Sequence, residues 1–358
     1  MFKCTRFAAV LALVAGLFLS SQAMAKGFSG LSFEGDYPTR HPTVIKVFQP
    51  FLDAAAKQFP GKLGFNYFAS NELFPEAQAM QVIADGRVDF ATVRPSLFPG
   101  KMNLLGVVAI PGMCPNAIVG SLVTQDLIDK FPEVRAELPK NSVPFVGWAS
   151  ASYQIHSIPA IKSAEDLKGK KVIVWDATTL EFAKALGTTP IRLPFTDTYM
   201  ALSKGMADAV LCPLAPVRSI KITEMAKHHF MLDLGVNTFV INAHKPLMES
   251  MPKDMHDWIM AQGGTKMALD CGLSLENGAI ADRQWMVDQG HEFHVPAAET
   301  RVAMLQPLTD SFTKLWKENE CKGMDPALVD RVLKFAQERS KFHQEQMAAG
   351  KYGEQFKK

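Results

Sequence analysis

Between Ser163 and Pro213 the apolar positions switch several times between a run typical of a buried strand and the three-to-four spacing of a helix face. Ser163-Ala-Glu-Asp166 fits a capping box that opens one short turn, and Gly169 stops it. The segment 171–175, Lys-Val-Ile-Val-Trp, is apolar and β-branched enough for a buried parallel strand; 177–186 then suits a helix closed by Gly187. A short strand over 190–193 follows, Thr196 is expected to cap a helix over 197–204, Gly205 ends it, and 209–212 returns as a third strand before Pro213. This is a βαβαβ unit. In a parallel sheet the loops after the strand C-termini gather at one edge, which groups Trp175, Asp176, Phe195 and Cys212 around one crevice.

The amino-terminal part repeats the plan with different residues. A strand over 28–33 runs into a loop beginning at Glu34, and Pro42 opens a helix whose Val44, Phe48, Phe51, Leu52, Ala55 and Phe59 recur at helical spacing. Strand 63–68, helix 75–84 and strand 89–93 complete the unit, with Arg94 at the last strand's end. Helical residues 116–140, broken at Pro132, and a strand over 143–148 ending in Trp148 lead into the second unit. Beyond it come helix 216–228 and strands 229–232 and 238–242. One long helix over 253–289 is interrupted weakly by Gly263-Gly264. At 1.5 Å per residue it would run about 55 Å, long enough to brace two domains. A late strand over 293–295 and helices over 299–320 and 326–349 finish the chain.

The first residues change the picture. Lys3 and Arg6 precede an apolar run over 7–19, and Ala23-Met24-Ala25 is an A-x-A site, the pattern of a secretory signal cleaved before Lys26. An exported, periplasmic protein is therefore expected. Removing the first 25 of 358 residues leaves 333, enough for two domains with real cores. Removal of Lys3 and Arg6 leaves 36 Lys and Arg against 36 Asp and Glu, so no bulk field favours nucleic acid or anionic membrane. Cys114, Cys212, Cys271 and Cys321 match no zinc or redox spacing; a Cys271–Cys321 disulfide is the preferred pairing, with free thiols the alternative. No phosphate loop, G-x-S-x-G elbow or H-E-x-x-H occurs, and His228, His229, His291 and His294 read as ordinary surface residues without a metal.

Taken in order, Ser163-Ala-Glu-Asp-Leu-Lys-Gly169, Leu186-Gly-Thr-Thr-Pro190, Phe195-Thr-Asp-Thr-Tyr-Met-Ala-Leu202 and Gly205-Met-Ala-Asp208 form an ordered set of motifs. Asn71-Glu-Leu73, Asp85-Gly-Arg-Val-Asp89 and Met251-Pro252 support it. Over roughly residues 30–258 the chain resembles the DctP-type solute-binding proteins of TRAP (tripartite ATP-independent periplasmic) transporters. The resemblance implies an α/β, two-lobed periplasmic binding protein-like fold, with a ligand cleft between the lobes and a long helix bridging both. Lobe I would comprise 26–148 with 242–282, and lobe II 149–241 with 283–358. It also implies delivery of a small organic solute (an organic acid, amino acid or amine) to TRAP-type permease subunits. A monomer without catalytic residues or cofactor is expected.

The departures from that resemblance matter equally. Family members carry an arginine in the strand after Asp-Leu-Lys-Gly, whose fork pairs with a ligand carboxylate; here the position holds Ile173. A second arginine position falls on Tyr153 and an asparagine position on Cys212. Either Arg94 takes over the carboxylate from the opposite lobe, or the ligand is not a simple carboxylate. Glu34 and Asp176, with Trp148, Tyr153 and Trp175, would suit an ammonium through charge and cation–π contact, at about 0.5–2 kcal/mol per ring; alternatively the aromatics are core and the acids cap helices. Two other functions stay open: a binding protein for another transporter or a sensor, and an enzyme on the same scaffold. The enzyme would use Cys212 or Cys114 as nucleophile and His41 or His156 as base.

Overall fold

The computed structural model describes residues 27–357; the leader expected over 1–25 lies outside them. Eleven strands are described: β1 Phe28–Glu34, β2 Leu63–Phe68, β3 Phe90–Val93, β4 Ser142–Ala149, β5 Gln154–Ser157, β6 Lys171–Val174, β7 Thr189–Arg192, β8 Ala209–Cys212, β9 His228–Phe230, β10 Thr238–His244 and β11 Glu292–His294. They form two sheets, ordered β2-β1-β3-β10-β4 and β11-β9-β5-β8-β6-β7. Both βαβαβ units are parallel, with β1 beside β2 and β3, and β6 beside β7 and β8. The strands added from elsewhere, β10 in the first sheet and β5 in the second, run antiparallel.

Each sheet is covered on both faces, which explains why β8, inside the second sheet, reads Ala-Val-Leu-Cys without a polar residue. In the first, Val93 and Val240 face one core with Val119, Val123 and Leu127 of helix Ala117–Lys130; Phe33, Phe90 and Ile241 face another with Phe48 and Phe51. In the second, Val172 and Val174 pack with Phe182, and Ile173 turns to the opposite core with Leu202, Val217 and Met286.

Chain crossings join the lobes between β4 and β5, between β9 and β10, and through helix Gly264–Asp288. That helix buries Met267, Cys271 and Leu275 in the first lobe and Met286 in the second, so it does bridge them. At about 37 Å it is shorter than the continuous helix expected, because the break at Gly263-Gly264 is complete. A Cβ on Gly263 would lie 2.2 Å from the Phe145 carbonyl oxygen, and Gly264 has φ +62°. Only glycine fits both demands.

Other boundaries also move. Helix Thr198–Ser203 starts after a 3₁₀ turn over Phe195–Asp197, and Thr196 bonds the Asp197 side chain and caps nothing. The helix expected over 216–228 ends at Ser219, because Lys221 takes a left-handed φ of +61°. The carboxy-terminal helix Pro326–Ala348 was expected in lobe II, yet Val329, Val332 and Ala336 enter the core of the first lobe. Arg339 and His343 hold Asp126 there at 2.7 Å each. Cys271 and Cys321 lie in different cores, and all four described cysteines are free. The preferred disulfide is not formed.

Candidate functional site

Parallel β1 and β3 end side by side, and this brings Glu34 and Arg94 to one edge of the first sheet. One Arg94 amino group meets Asp36 at 2.6 Å and Glu76 at 3.5 Å, while its guanidinium lies 5.2 Å from the centre of the Phe239 ring. Burial works against the Arg94 charge, but Asp36 and Glu76 more than offset it and raise its pKa. Burial pushes the Glu34 carboxyl up to about 8, against the pull of a hydrogen bond from the Asn71 backbone and with added repulsion from Asp36, Glu76 and Glu72. Glu34 therefore stands largely protonated at neutral pH. Two buried polar atoms at this edge have no hydrogen-bond partner: Oε1 of Glu34 and Nε of Arg94. Since unsatisfied buried polar groups are costly, they mark where a bound molecule would gain most.

Tyr153, in the crossing between the lobes, links this edge to the second sheet. Burial raises its phenol pKa most, with a further push from Asp176 and a smaller one from Cys212, while Arg94 and a hydrogen bond with Asn237 pull it down. Arg94 of one lobe and Asp176 of the other therefore both act on the charge of this phenol. Asp176 also accepts from the Thr179 amide at 2.8 Å in a capping box, so helix Ala177–Ala185 begins there. Asn237 donates to Ser96 Oγ at 3.1 Å.

Beside this group lies an inter-lobe cavity of about 210 Å³. Its wall starts directly after Arg94, with Pro95 and Ser96, and directly after Asp176, with Ala177 and Thr178; Phe98 and Trp316 supply apolar surface. A cavity of this size suits a solute of roughly one aromatic ring, since a 150 Å³ apolar cavity holds benzene.

The remaining expected residues are placed differently. Trp148 is wholly buried in the first lobe, stacked on Phe239 with centroids 5.2 Å apart and edge-on to Phe48. Ile173 is wholly buried in a core of the second lobe. Trp175 donates to Thr198 Oγ1 at 2.9 Å and meets the half-exposed Phe195 ring edge-on at 5.0 Å. Glu34 and Arg94 share one edge of the first sheet; Tyr153, Trp148, Ile173 and Cys212 are buried in cores, Asp176 caps a helix, and Trp175 and Phe195 pair with each other.

Neither thiol is built for attack. Burial pushes Cys212 well above the ordinary thiol range and Cys114 to about 12, while His156 Nε2 meets the carbonyl oxygen of Cys212 at 3.0 Å. Asp36 and Glu76, the partners of Arg94, were not singled out from sequence, and only their position in the loops after β1 and β2 hints at them. The histidines correct an expectation. His156, His229 and His291 are buried in a hydrogen-bonded chain, His156 Nδ1 to His229 Nδ1 and His229 Nε2 to His291 Nδ1, each 2.8 Å.

Residues 33–319 match the DctP family model, described as bacterial extracellular solute-binding protein, family 7. The C4-dicarboxylate-binding periplasmic protein DctP of Rhodobacter capsulatus is 23% identical over 266 residues, covering 72% of this chain and 78% of that protein. A TRAP solute-binding protein from Rhodoferax ferrireducens T118, crystallised with copurified benzoate, superposes with TM-score 0.77 at 21% identity, over 88% of this chain and 98% of the other. A marine metagenome TRAP protein from an unidentified microbe, specific for aromatic acid ligands, gives 0.77 and 21% over 88% and 99%.

Proposed function

Because the chain belongs to the bacterial extracellular solute-binding proteins of family 7, whose members are receptors and not enzymes, we propose that it captures a small amphipathic solute between its lobes and delivers it to a TRAP-type permease. With export through the leader expected over 1–25, this capture is periplasmic. The solute's apolar body lies against Phe98 and Trp316, and its polar end reaches Arg94, Tyr153 and Asp176. Contacts from both lobes supply the differential affinity that favours a closed form, which a membrane partner can then recognise.

The charge balance around Arg94 carries the choice of solute. Glu34 lies beside Asp36 and Glu76, the two carboxyls already paired with the Arg94 guanidinium, and Ile173, at the position the resemblance gives to a clamp arginine, is an aliphatic core residue. This lining favours a solute bearing an ammonium or several hydrogen-bond donors, an amine or an amino acid, over a simple carboxylate. An ammonium beside Glu34 would expel its proton, so affinity should rise with pH toward about 8. A second reading rests on the unpartnered Nε of Arg94: an aromatic acid, the class named for two of the superposed proteins, would accept from it, and its affinity would fall over the same range.

A thermal-shift screen of amines, amino acids, 2-oxo acids, hydroxy acids and aromatic acids tests this, since ligand linkage raises the melting temperature. A hit among amines or amino acids, tighter at pH 8 than at pH 6, is expected. Hits confined to monocarboxylates that weaken with pH would refute the ammonium reading.

A further inference from the structure

Two short strands at the outer edge of the second sheet carry a cluster that the solute site does not use. In β9 and β11, which pair in parallel with Glu292 opposite His228 and His294 opposite Phe230, side chains alternate between faces. His229, His291 and Phe293 turn inward, into the buried histidine chain and against one another. His228, Glu292 and His294 share the other face.

The spacing of their ligand atoms is informative. Nδ1 of His228 and Nε2 of His294 lie 3.4 Å apart, and each lies 3.6 Å from the same Glu292 oxygen, Oε2. A tetrahedral ion bound at about 2.0–2.1 Å holds its ligand atoms roughly 3.3–3.4 Å apart. Three vertices of such a tetrahedron are therefore already present within a few tenths of an ångström, and the exposed Glu292 side chain can make the adjustment. The 3.4 Å imidazole contact, by comparison, is long for a hydrogen bond. Among the described residues this is the one group of three His, Cys, Asp or Glu side chains close enough to share an ion.

We propose that His228, Glu292 and His294 form a binding site for a divalent transition-metal ion of the zinc class, with the fourth position open to water. Two imidazole nitrogens and one carboxylate select zinc, copper or nickel over calcium or magnesium, which require oxygen donors. The ion would staple β11, the edge strand entered directly from the inter-lobe helix, to β9. Lys162 and Lys227 flank the histidines and oppose cation binding, which argues for a modest affinity.

Calorimetry of the metal-freed full chain with zinc, and the visible spectrum of its cobalt form, test the assignment. One zinc per chain and a tetrahedral cobalt spectrum are expected, with a raised melting temperature that calcium does not reproduce. Glu292→Gln, at an exposed position, should weaken zinc about tenfold or more, and His228→Ala/His294→Ala should abolish the stoichiometric site, while His256→Ala in the other lobe changes nothing. Zinc binding unaltered in Glu292→Gln and the double variant, no stoichiometric binding by the wild type, or an equal response to calcium would overturn it. Circular dichroism confirms that each variant is folded.

Discussion

Replacing Glu34 by glutamine isolates a strongly perturbed carboxyl at the proposed site. Burial raises this carboxyl from 4.5 to about 8, so folding takes up a proton whenever the pH lies between those values. At pH 7 the protonation costs about 3 kcal/mol, at 1.36 kcal/mol per pH unit of displacement. A raised folded pKa means that the wild type has its full stability below pH 4.5 and loses it as pH climbs to about 8. Glutamine keeps the shape and an acceptor for the Asn71 amide but never ionises. Without added solute, Glu34→Gln should be more stable than wild type by about 3 kcal/mol at pH 7, by somewhat more above pH 8, and by nothing near pH 4.5. Urea unfolding midpoints at the three pH values measure this. A difference that does not change with pH, or a variant less stable at pH 7, would refute the reading of Glu34 as a buried neutral acid.

His156 gives the opposite slope. Burial lowers it from 6.5 to about 4, so its contribution is complete above pH 6.5 and drains away, by up to about 3 kcal/mol, as pH falls toward 4; His156→Gln should flatten that part of the urea-stability profile. Gly272→Ala should lower the melting temperature, at a cost of about 1–3 kcal/mol, because the new Cβ would lie 2.7 Å from the Ile118 Cα where the inter-lobe helix crosses its neighbour; an unchanged melting temperature would show that the helices separate freely. Iodoacetamide should leave the native cysteines unmodified and solute binding intact, with four thiols of the mature chain reacting after unfolding; rapid native labelling that abolishes binding would revive a thiol mechanism.

Much of the fold was legible because local signals agreed with one another. Strands Leu63–Phe68 and Ala209–Cys212 stand where sequence places them, and Ser163 and Asp166 form the expected capping box. What failed was information held in distant partners. An amphipathic helix announces an apolar face but not which core it joins, so Pro326–Ala348 was assigned to the wrong lobe. The break at Gly263 depends on a carbonyl oxygen 118 residues earlier in the chain. The histidines illustrate the same limit: alternation separates His228 from His229, yet only the pairing of β9 with β11 brings Glu292 and His294 beside one and His291 beside the other. In the site, Arg94 was visible as the residue after a strand, but its ion pairs with Asp36 and Glu76 span 58 and 18 positions.

The crystal structure of the full chain with the best solute from the thermal-shift screen tests the central claim most directly. The solute should lie between the lobes, with its polar end within hydrogen-bond distance of Arg94 on one side and of Tyr153 or Asp176 on the other. A solute seated instead in the other groove, lined by Asn116, Gln154, Arg283 and Arg301, and touching neither Arg94 nor Tyr153, would contradict it.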